Sequence, residues 1–245
     1  CALRAVRRSP ANTARRRCPA GINLLRQRPI AALPRGRITL LDSPVPEVEA
    51  GTVRVRVRTS LFSPGTEFGG WHRLENTADP GDTAPRPFGY ANAGVVEAVG
   101  AGVTRFCNGD RVACMGPGAL HTNLAVVPQN LCVALPDGVA FGDAAYGHLA
   151  ATAMHVHRRS QASLGEFSAV AGLGVLGQLC AMVHQMAGVR VIGWDPIPQR
   201  LAVATRWGID AVAQSGRDDV VVATRRFTQG QGLDRKSTRL NSSHW

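Results

Sequence analysis

The chain has 245 residues, of which 44% are hydrophobic, so it can bury a substantial core in one large or two small domains. It contains no apolar run approaching the roughly 20 residues that span a bilayer. The formal net charge of +11 is concentrated at the start: residues 1–37 contain ten Arg and no Asp or Glu, whereas residues 38–234 contain fifteen Arg and seventeen acidic residues. The body of the chain therefore lacks the basic excess of a nucleic-acid-binding domain.

The Arg-rich segment 1–37 begins without Met, carries four prolines and has no sustained period of a strand or helix. We therefore expect it to be disordered or non-native and to lie outside the fold. A targeting peptide and a nucleic-acid-binding arm are the alternatives. The segment holds no aromatic residue on which a base could stack, which weakens the second alternative.

Residues 38–142 are predicted to form a small β-barrel. Valines and arginines alternate over residues 53–58, which is the period-2 pattern of a half-buried strand: Val53, Val55 and Val57 against Arg54, Arg56 and Arg58. Gly or Pro residues separate the other predicted strands, which are residues 94–99, 111–113, 123–127 and 131–135. Regular short strands of this kind are typical of a barrel or sandwich.

The six cysteines are scattered, at positions 1, 18, 107, 114, 132 and 180, and form no C-x-x-C pair. This spacing favours reduced, mostly buried thiols in a cytoplasmic protein.

From Asp143 to about His157 the period becomes helical, and residues 143–234 are predicted to form a second, α/β lobe. An apolar strand leads into Gly172, Gly174 and Gly177, a helix follows, and Gly188 ends that helix. Glycines at this spacing permit a tight turn and a close approach of the backbone to a pyrophosphate at the helix N-terminus. The pattern predicts a nicotinamide dinucleotide site formed by the backbone of Gly172, Leu173, Gly174, Val175, Leu176 and Gly177. A glycine-rich turn with a structural role is the alternative.

The second strand of this unit ends at Asp195, eighteen residues after Gly177. We expect Asp195 to accept hydrogen bonds from the adenosine ribose and to repel a 2′-phosphate, which favours NAD(H) over NADP(H). Arg200 lies close enough to weaken that preference, so NADP(H) remains an alternative. Asp195 could instead cap the helix that begins near Pro196.

The end of the chain departs from the pattern. A helix is predicted over residues 218–229, and a further buried strand should follow, but residues 235–245 are polar and contain the only Lys. We expect this tail to be foreign or disordered and the α/β lobe to be truncated at its C-terminus.

Five motifs occur in the order of the medium-chain dehydrogenase/reductase superfamily, at residues 46–59, 87–100, 109–113, 135–138 and 172–177. The chain resembles that family over residues 38–234. The resemblance implies an α/β protein with a GroES-like barrel followed by a doubly wound parallel Rossmann lobe. The segment 62–67, Phe-Ser-Pro-Gly-Thr-Glu, is most similar to the zinc-lacking branch that includes bacteriochlorophyllide a dehydrogenase.

Zinc alcohol dehydrogenases of this superfamily hold the metal with a Cys, a residue of a His-Glu pair and a third ligand before the central helix. At the matching positions this chain has Ser63, Tyr90 followed by Ala91, and His148. A catalytic zinc needs three protein ligands, and His148 alone cannot supply them. The cysteine-rich lobe of many relatives is reduced here to Cys114, so the resemblance implies no zinc.

Without a metal, hydrogen-bond donors must stabilise the charge that develops on the substrate oxygen. By resemblance, Tyr90 and His148 face the cleft from opposite lobes and are the catalytic candidates, with Ser63 and Thr66 as smaller donors. Thr152 matches the family position that contacts nicotinamide. Alternatively, Tyr90 is a half-buried barrel residue, His148 has only a structural role in its helix, and Thr152 bonds to its own helix backbone. His155 and His157 are predicted on the helix surface and His121 in a loop.

These residues predict an NAD(H)-dependent oxidoreductase that transfers hydride between an alcohol and a ketone, present here as a fragment that we expect to be inactive alone. A quinone or enone reductase using NADPH is the second hypothesis, and a non-catalytic dinucleotide-binding module is the third. We expect a small-molecule substrate, no nucleic-acid or membrane partner, a cytoplasmic location and, for the full-length protein, a homodimer.

Overall fold

The structure, a computed structural model, describes residues 26–33, 37–67 and 85–238. It contains a β-rich lobe followed by an α/β lobe, as the sequence predicts. None of the helices in these ranges has the length and apolarity required to cross a bilayer.

The β-rich lobe contains a three-stranded and a five-stranded sheet. The smaller sheet consists of β1 (Ile30–Leu33), β2 (Arg37–Leu40) and β4 (Arg86–Pro87), and β1 lies in the middle. The larger sheet is antiparallel in the order β7-β3-β5-β6-β8. Its strands are β3 (Thr52–Ser60), β5 (Ala91–Val99), β6 (Arg111–Met115), β7 (Leu124–Pro128) and β8 (Cys132–Ala134).

The alternation predicted for β3 holds in the first half of the strand, and Val57 is only half-buried. Val53 and Val55 are fully buried in the barrel core. Arg54 and Arg56 lie on the outer face, where both contact the carboxylate of Glu97 at N···O distances of 2.7 and 2.9 Å. The apolar side of this strand therefore supplies the core and the charged side remains at the surface.

Residues 26–33 correct our expectation for the first segment, because they join the barrel lobe. Strand β1 pairs with β2, and the side chain of Gln27 donates to the carbonyl oxygen of Leu124 at 2.8 Å. Asn123 accepts from the backbone N–H of Arg28 at 2.6 Å. These partners lie almost a hundred residues away, so no local period reveals them. Residues 1–25 and 34–36 lie outside the described residues.

The α/β lobe has a parallel sheet in the order β11-β10-β9-β12. Its strands are β9 (Phe167–Ala171), β10 (Arg190–Asp195), β11 (Ala211–Gln214) and β12 (Arg235–Thr238). The helices are α1 (Phe141–Ala144), α2 (Gly147–Ser160), α3 (Val175–Met186), α4 (Pro198–Trp207) and α5 (Val220–Phe227). Strand order reverses between β9 and β12, which is where doubly wound sheets bind ligands, at the carboxyl ends of the strands.

Strand β12 is formed by the first residues of the tail that we expected to lie outside the fold. It pairs in parallel with β9, from Arg235 beside Ser168 to Thr238 beside Ala171. The preceding Asp234 anchors it, because its carboxylate accepts from the backbone N–H of Phe167 at 2.8 Å. Residues 239–245 lie outside the described residues.

Two histidines pack together where α2 meets α3. The ring of His184 is fully buried, and its Nδ1 donates to the carbonyl oxygen of Cys180 at 2.9 Å. The His157 ring lies edge-on to it, with centroids 4.9 Å apart. His157 is half-buried, which corrects the surface position that we predicted for it. Burial lowers the pKa of His184, with a smaller contribution from His157 in the same direction.

We expect this burial to make the protein less stable in mild acid. The unfolded chain takes up a proton on His184 near the ordinary pKa of 6.5, whereas the folded chain resists protonation, so the free energy of unfolding falls as the pH drops below about 6.5. One such group gives a slope of at most about 1.4 kcal/mol per pH unit. Urea unfolding of the wild type and of His184→Leu between pH 8 and pH 5 measures this slope.

The slope should be smaller in His184→Leu and unchanged in His155→Leu, which alters an exposed histidine of the neighbouring helix α2. Equal slopes in the wild type and His184→Leu would contradict the assignment to His184.

Candidate active site

The glycine-rich loop follows β9 and turns directly into α3. Gly172 has φ = +91°, a conformation that L side chains rarely adopt. A Cβ at Gly177 would lie 1.8 Å from the carbonyl oxygen of Gly172, so only glycine fits there. A Cβ at Gly174 would meet no atom of the described ranges within 4 Å. The first and third glycines thus serve the fold, whereas the second leaves open space in front of the loop.

The side chain of Leu173 fixes the loop to the sheet. It is fully buried in the core of the α/β lobe and packs directly over Gly193, where a Cβ would lie 2.7 Å from a Leu173 methyl carbon. Val175 and Leu176 form the first turn of α3, Val175 exposed and Leu176 half-buried. In this turn the backbone N–H groups that have no partner within the helix face the open space, together with the positive end of the helix dipole.

Asp195 connects the end of β10 to the glycine-rich loop. Its carboxylate is 1% exposed and accepts from the backbone N–H groups of Leu173 and Ile197, both at 2.8 Å. Arg200 lies 3.3 Å from the same carboxylate, and its side chain is 44% exposed. Helix α4 has Ile197 at its N-cap position, so the alternative that Asp195 caps this helix is wrong. The expected contact of Asp195 with a ribose stays a prediction.

Tyr90 and His148 come together from the two lobes. Tyr90 precedes β5, and His148 lies in the first turn of α2. Their rings pack edge to face, with centroids 4.8 Å apart and an interplanar angle of 81°. Within the described ranges, the buried Nδ1 of His148 has no hydrogen-bond partner. Burial lowers the pKa of His148, so its ring is neutral at pH 7.

Thr152 lies one helical turn after His148. Its hydroxyl donates to the carbonyl oxygen of His148 at 3.1 Å. This is the backbone contact that the alternative for Thr152 describes, and it uses the only proton of the hydroxyl. The Thr152 hydroxyl could therefore contact nicotinamide only as a hydrogen-bond acceptor, and that predicted contact stays a prediction.

A buried polar chain that the sequence did not reveal holds the turn at residues 63–66. His121 bonds to the Glu67 carboxylate through Nε2 at 2.8 Å and to the Ser60 hydroxyl through Nδ1 at 2.9 Å. The other Glu67 carboxylate oxygen accepts from the backbone N–H of Ser63. The Phe88 ring covers His121 edge-on, with centroids 5.2 Å apart. Ser63 and Thr66, our smaller donor candidates, thus lie on a turn that these hydrogen bonds hold in place.

His121 is therefore more than the loop residue that we predicted. Its partner Glu67 lies 54 residues earlier in the chain, so no local spacing could have linked the two. The only sequence signal for a structural role of Glu67 was its position at the end of the Ser-Pro-Gly-Thr-Glu segment, from which its side chain can reach back to Ser63.

Within the part of the chain that the structure describes, no three His, Cys, Asp or Glu side chains form a group that could hold a metal ion. Residues 68–84, which follow Glu67 directly, lie outside that part. The expectation of a zinc-independent site stays a prediction.

Comparison with known proteins agrees with this architecture. Residues 49–137 match the alcohol dehydrogenase GroES-like domain family. D-guloside 3-dehydrogenase from Shigella flexneri is 29% identical over 208 residues, which cover 76% of this chain and 59% of that protein. The chain thus spans less than two thirds of this relative.

Two solved structures show the same fold. A quinone oxidoreductase from Pseudomonas syringae superposes with a TM-score of 0.69 at 28% identity, covering 84% of this chain and 64% of that one. An Escherichia coli oxidoreductase/dehydrogenase of unknown specificity superposes with a TM-score of 0.78 at 18% identity, covering 88% and 71%. The chain therefore has the fold of the medium-chain dehydrogenases/reductases, with a GroES-like domain followed by a Rossmann-like lobe, and its relatives are dehydrogenases and oxidoreductases.

Proposed function

We propose that the protein is an NAD(H)-dependent oxidoreductase that transfers hydride between an alcohol and a ketone without a catalytic zinc. The observation that carries the proposal is the glycine-rich loop. Gly172 and Gly177 are required by the backbone itself, whereas no packing among the described residues requires glycine at position 174. A ligand that approaches the backbone there explains the absence of a side chain.

The loop fits a dinucleotide in charge as well as shape. Gly174 occupies the N-cap position of the twelve-residue helix α3, and no side chain caps that end. The free N–H groups and the helix dipole therefore favour a pyrophosphate. Arg200, which is partly exposed in the first turn of α4 and contacts Asp195, adds a positive charge on the side where an adenosine ribose would lie.

The nicotinamide ring, when bound, supplies the hydride chemistry, and the protein must manage the proton. In this proposal the unpartnered Nδ1 of neutral His148 takes the hydroxyl proton of an alcohol. The Tyr90 hydroxyl donates a hydrogen bond to the same substrate oxygen. The edge-to-face contact of the two rings keeps these groups on one side of the substrate.

Gly174→Ala tests the site. The added methyl group meets no protein atom, and the backbone angles of −66° and −175° suit alanine, so the fold should be unchanged. We expect NADH binding to weaken at least about tenfold, or about 1.4 kcal/mol, because the methyl group fills the space of the pyrophosphate. Titration with NADH, followed by nicotinamide fluorescence, measures this.

Gly142→Ala is the matched control, since a Cβ there also meets nothing and lies outside the loop. Undiminished NADH binding by Gly174→Ala would overturn the placement of the pyrophosphate. If the wild type binds neither NADH nor NADPH, the oxidoreductase proposal fails as a whole.

A second candidate is an NADPH-dependent quinone or enone reductase. Two observations favour it: the Asp195 carboxylate is buried and already bonded to the backbone, and the exposed part of Arg200 could contact a 2′-phosphate. The similar Pseudomonas syringae protein is a quinone oxidoreductase. The ratio of kcat/KM with NADPH to that with NADH distinguishes the candidates, since a ratio well above one supports the reductase.

The proposal also covers the branch of the superfamily to which the enzyme belongs and its cellular location. The Ser-Pro-Gly-Thr-Glu segment supports the zinc-lacking branch that includes bacteriochlorophyllide a dehydrogenase. Thiols at Cys114, Cys132 and Cys180, within the described residues, fit a cytoplasmic setting. We also propose a small-molecule substrate and a homodimer for the full-length protein.

A non-catalytic dinucleotide-binding module is the third candidate. Binding of NADH without turnover of alcohols, aldehydes or quinones would support it.

A further inference from the structure

Two cysteines face each other inside the barrel. Cys114 on β6 and Cys132 on β8 are 4% and 0% exposed, and their sulfur atoms lie 3.7 Å apart. The two residues are direct partners in the antiparallel pairing of these strands. Both side chains therefore point to the same side of the sheet and into the same core.

The hydrogen-bond pattern of the ladder defines the type of this pair. The backbone N–H of Leu135 donates to the carbonyl oxygen of Arg111 at 2.9 Å, so these two residues form a hydrogen-bonded pair. Bonded and non-bonded pairs alternate along an antiparallel ladder, which makes Cys114 and Cys132 a non-hydrogen-bonded pair. Such partners have Cα atoms about 4.5 Å apart, within the range of about 4.4–6.8 Å that a disulfide spans.

We propose that Cys114 and Cys132 are a redox modification site that forms a reversible disulfide across β6 and β8. The oxidant is a low-molecular-weight disulfide of the glutathione class. The Cys132 thiolate attacks one of its sulfurs and releases the first small thiolate. Cys114, as its thiolate, then attacks the Cys132 sulfur of the mixed disulfide and releases the second. The two protein thiols lose two electrons and two protons, and the small disulfide is reduced to two thiols.

The location of Cys132 explains how a buried thiol reaches the oxidant. Strand β8 has three residues and lies at the edge of the five-stranded sheet. Its middle residue, Val133, is 62% exposed, so only one face of the strand is packed. Short edge strands open locally at lower free energy than the core. The hydrogen bond from Cys114, with a smaller contribution from Arg105, lowers the pKa of Cys132 against the opposing effect of burial, which suits this thiol to attack first.

The bridge would form next to the candidate active site. Gly116, two residues after Cys114, donates its backbone N–H to the carbonyl oxygen of Tyr90 at 2.8 Å. Oxidation would thus tie β8 to β6, and Gly116, directly after β6, is bonded to Tyr90. The disulfide itself depends only on the barrel and not on the proposed reaction.

The test uses oxidised glutathione as the probe. The chain is incubated with it, free thiols are alkylated, and the protein is digested with trypsin. Residues 112–158 contain no Lys or Arg before Arg158, so both cysteines lie on one tryptic peptide that holds no other cysteine. We expect this peptide to lose the mass of two hydrogen atoms and to regain it with dithiothreitol. Cyanogen bromide then cleaves after Met115 and Met154, and the fragments 112–115 and 116–154 stay joined only if the bridge has formed.

Cys180→Ala removes a buried thiol of the other lobe and should leave the bridge intact, whereas Cys114→Ala should leave Cys132 alkylated or glutathionylated. A parallel sample is refolded from urea with oxidised and reduced glutathione, so that access to the thiols is not limiting. A bridge in either sample supports the proposal. Two alkylated or glutathionylated cysteines in both samples would overturn it.

Discussion

Replacing His148 with glutamine in the full-length protein is expected to lower kcat/KM for alcohol oxidation about a hundredfold while leaving NADH binding unchanged. Glutamine keeps a hydrogen-bonding group at this position but cannot take up a proton. The expectation depends on the buried Nδ1, which lacks a partner in the described part of the chain, and on the contact with Tyr90. Steady-state kinetics with an alcohol identified by screening, together with NADH titration, measures both quantities.

The pH profile separates proton transfer from simple positioning. Burial places the pKa of His148 below its ordinary value of 6.5, so the base is available at neutral pH and is lost as the pH falls below 6.5. The wild-type kcat/KM should therefore decline in this acid range, and the decline should be missing in His148→Gln. His155→Gln, a change at an exposed position of the same helix, should retain it. An identical acid limb in His148→Gln would exclude His148 as the base.

Gly177→Ala should be the most destabilising single change in the glycine-rich loop. The added Cβ would lie 1.8 Å from the Gly172 carbonyl oxygen and 2.9 Å from its carbon, and both are backbone atoms that cannot rotate away. Separating α3 from the end of β9 should cost about 3 kcal/mol of folding free energy or more. Thermal denaturation measures the resulting fall in Tm.

Gly174→Ala is the matched comparison for stability, because a methyl group there meets nothing. Its Tm should equal that of the wild type even though its NADH binding is weakened. A Tm of Gly177→Ala equal to that of Gly174→Ala would contradict the packing of the loop.

The features that could be predicted from the sequence are those set by local spacing. The glycine-rich loop, the end of α3 at Gly188 and the alternation in β3 each depend on residues within one turn or one strand. Their physical requirements, a positive φ, a close backbone approach or one apolar face, are visible in a short window. The pairing of Tyr90 with His148 was expected only from the resemblance, since no sequence pattern relates two residues 58 positions apart.

The features that escaped prediction depend on distant partners. Glu67 and His121 meet only after the barrel closes, and Asp195 finds the Leu173 amide only after β9 and β10 pair. Strand β12 shows a different limit. Arg235–Thr238 have no apolar pattern, yet the structure places them beside β9, where the sheet offers unpaired backbone groups.

The buried Leu173 has a consequence for the energetics of any ligand at the loop. Because this side chain packs over Gly193 in the same core cluster as Ile209, and the Leu173 amide is held by Asp195, the loop cannot change shape without emptying part of the lobe's interior. The loop is thus rigid before it meets a ligand. Little conformational entropy is lost there on association, and affinity depends on how well the ligand matches a surface that is already formed.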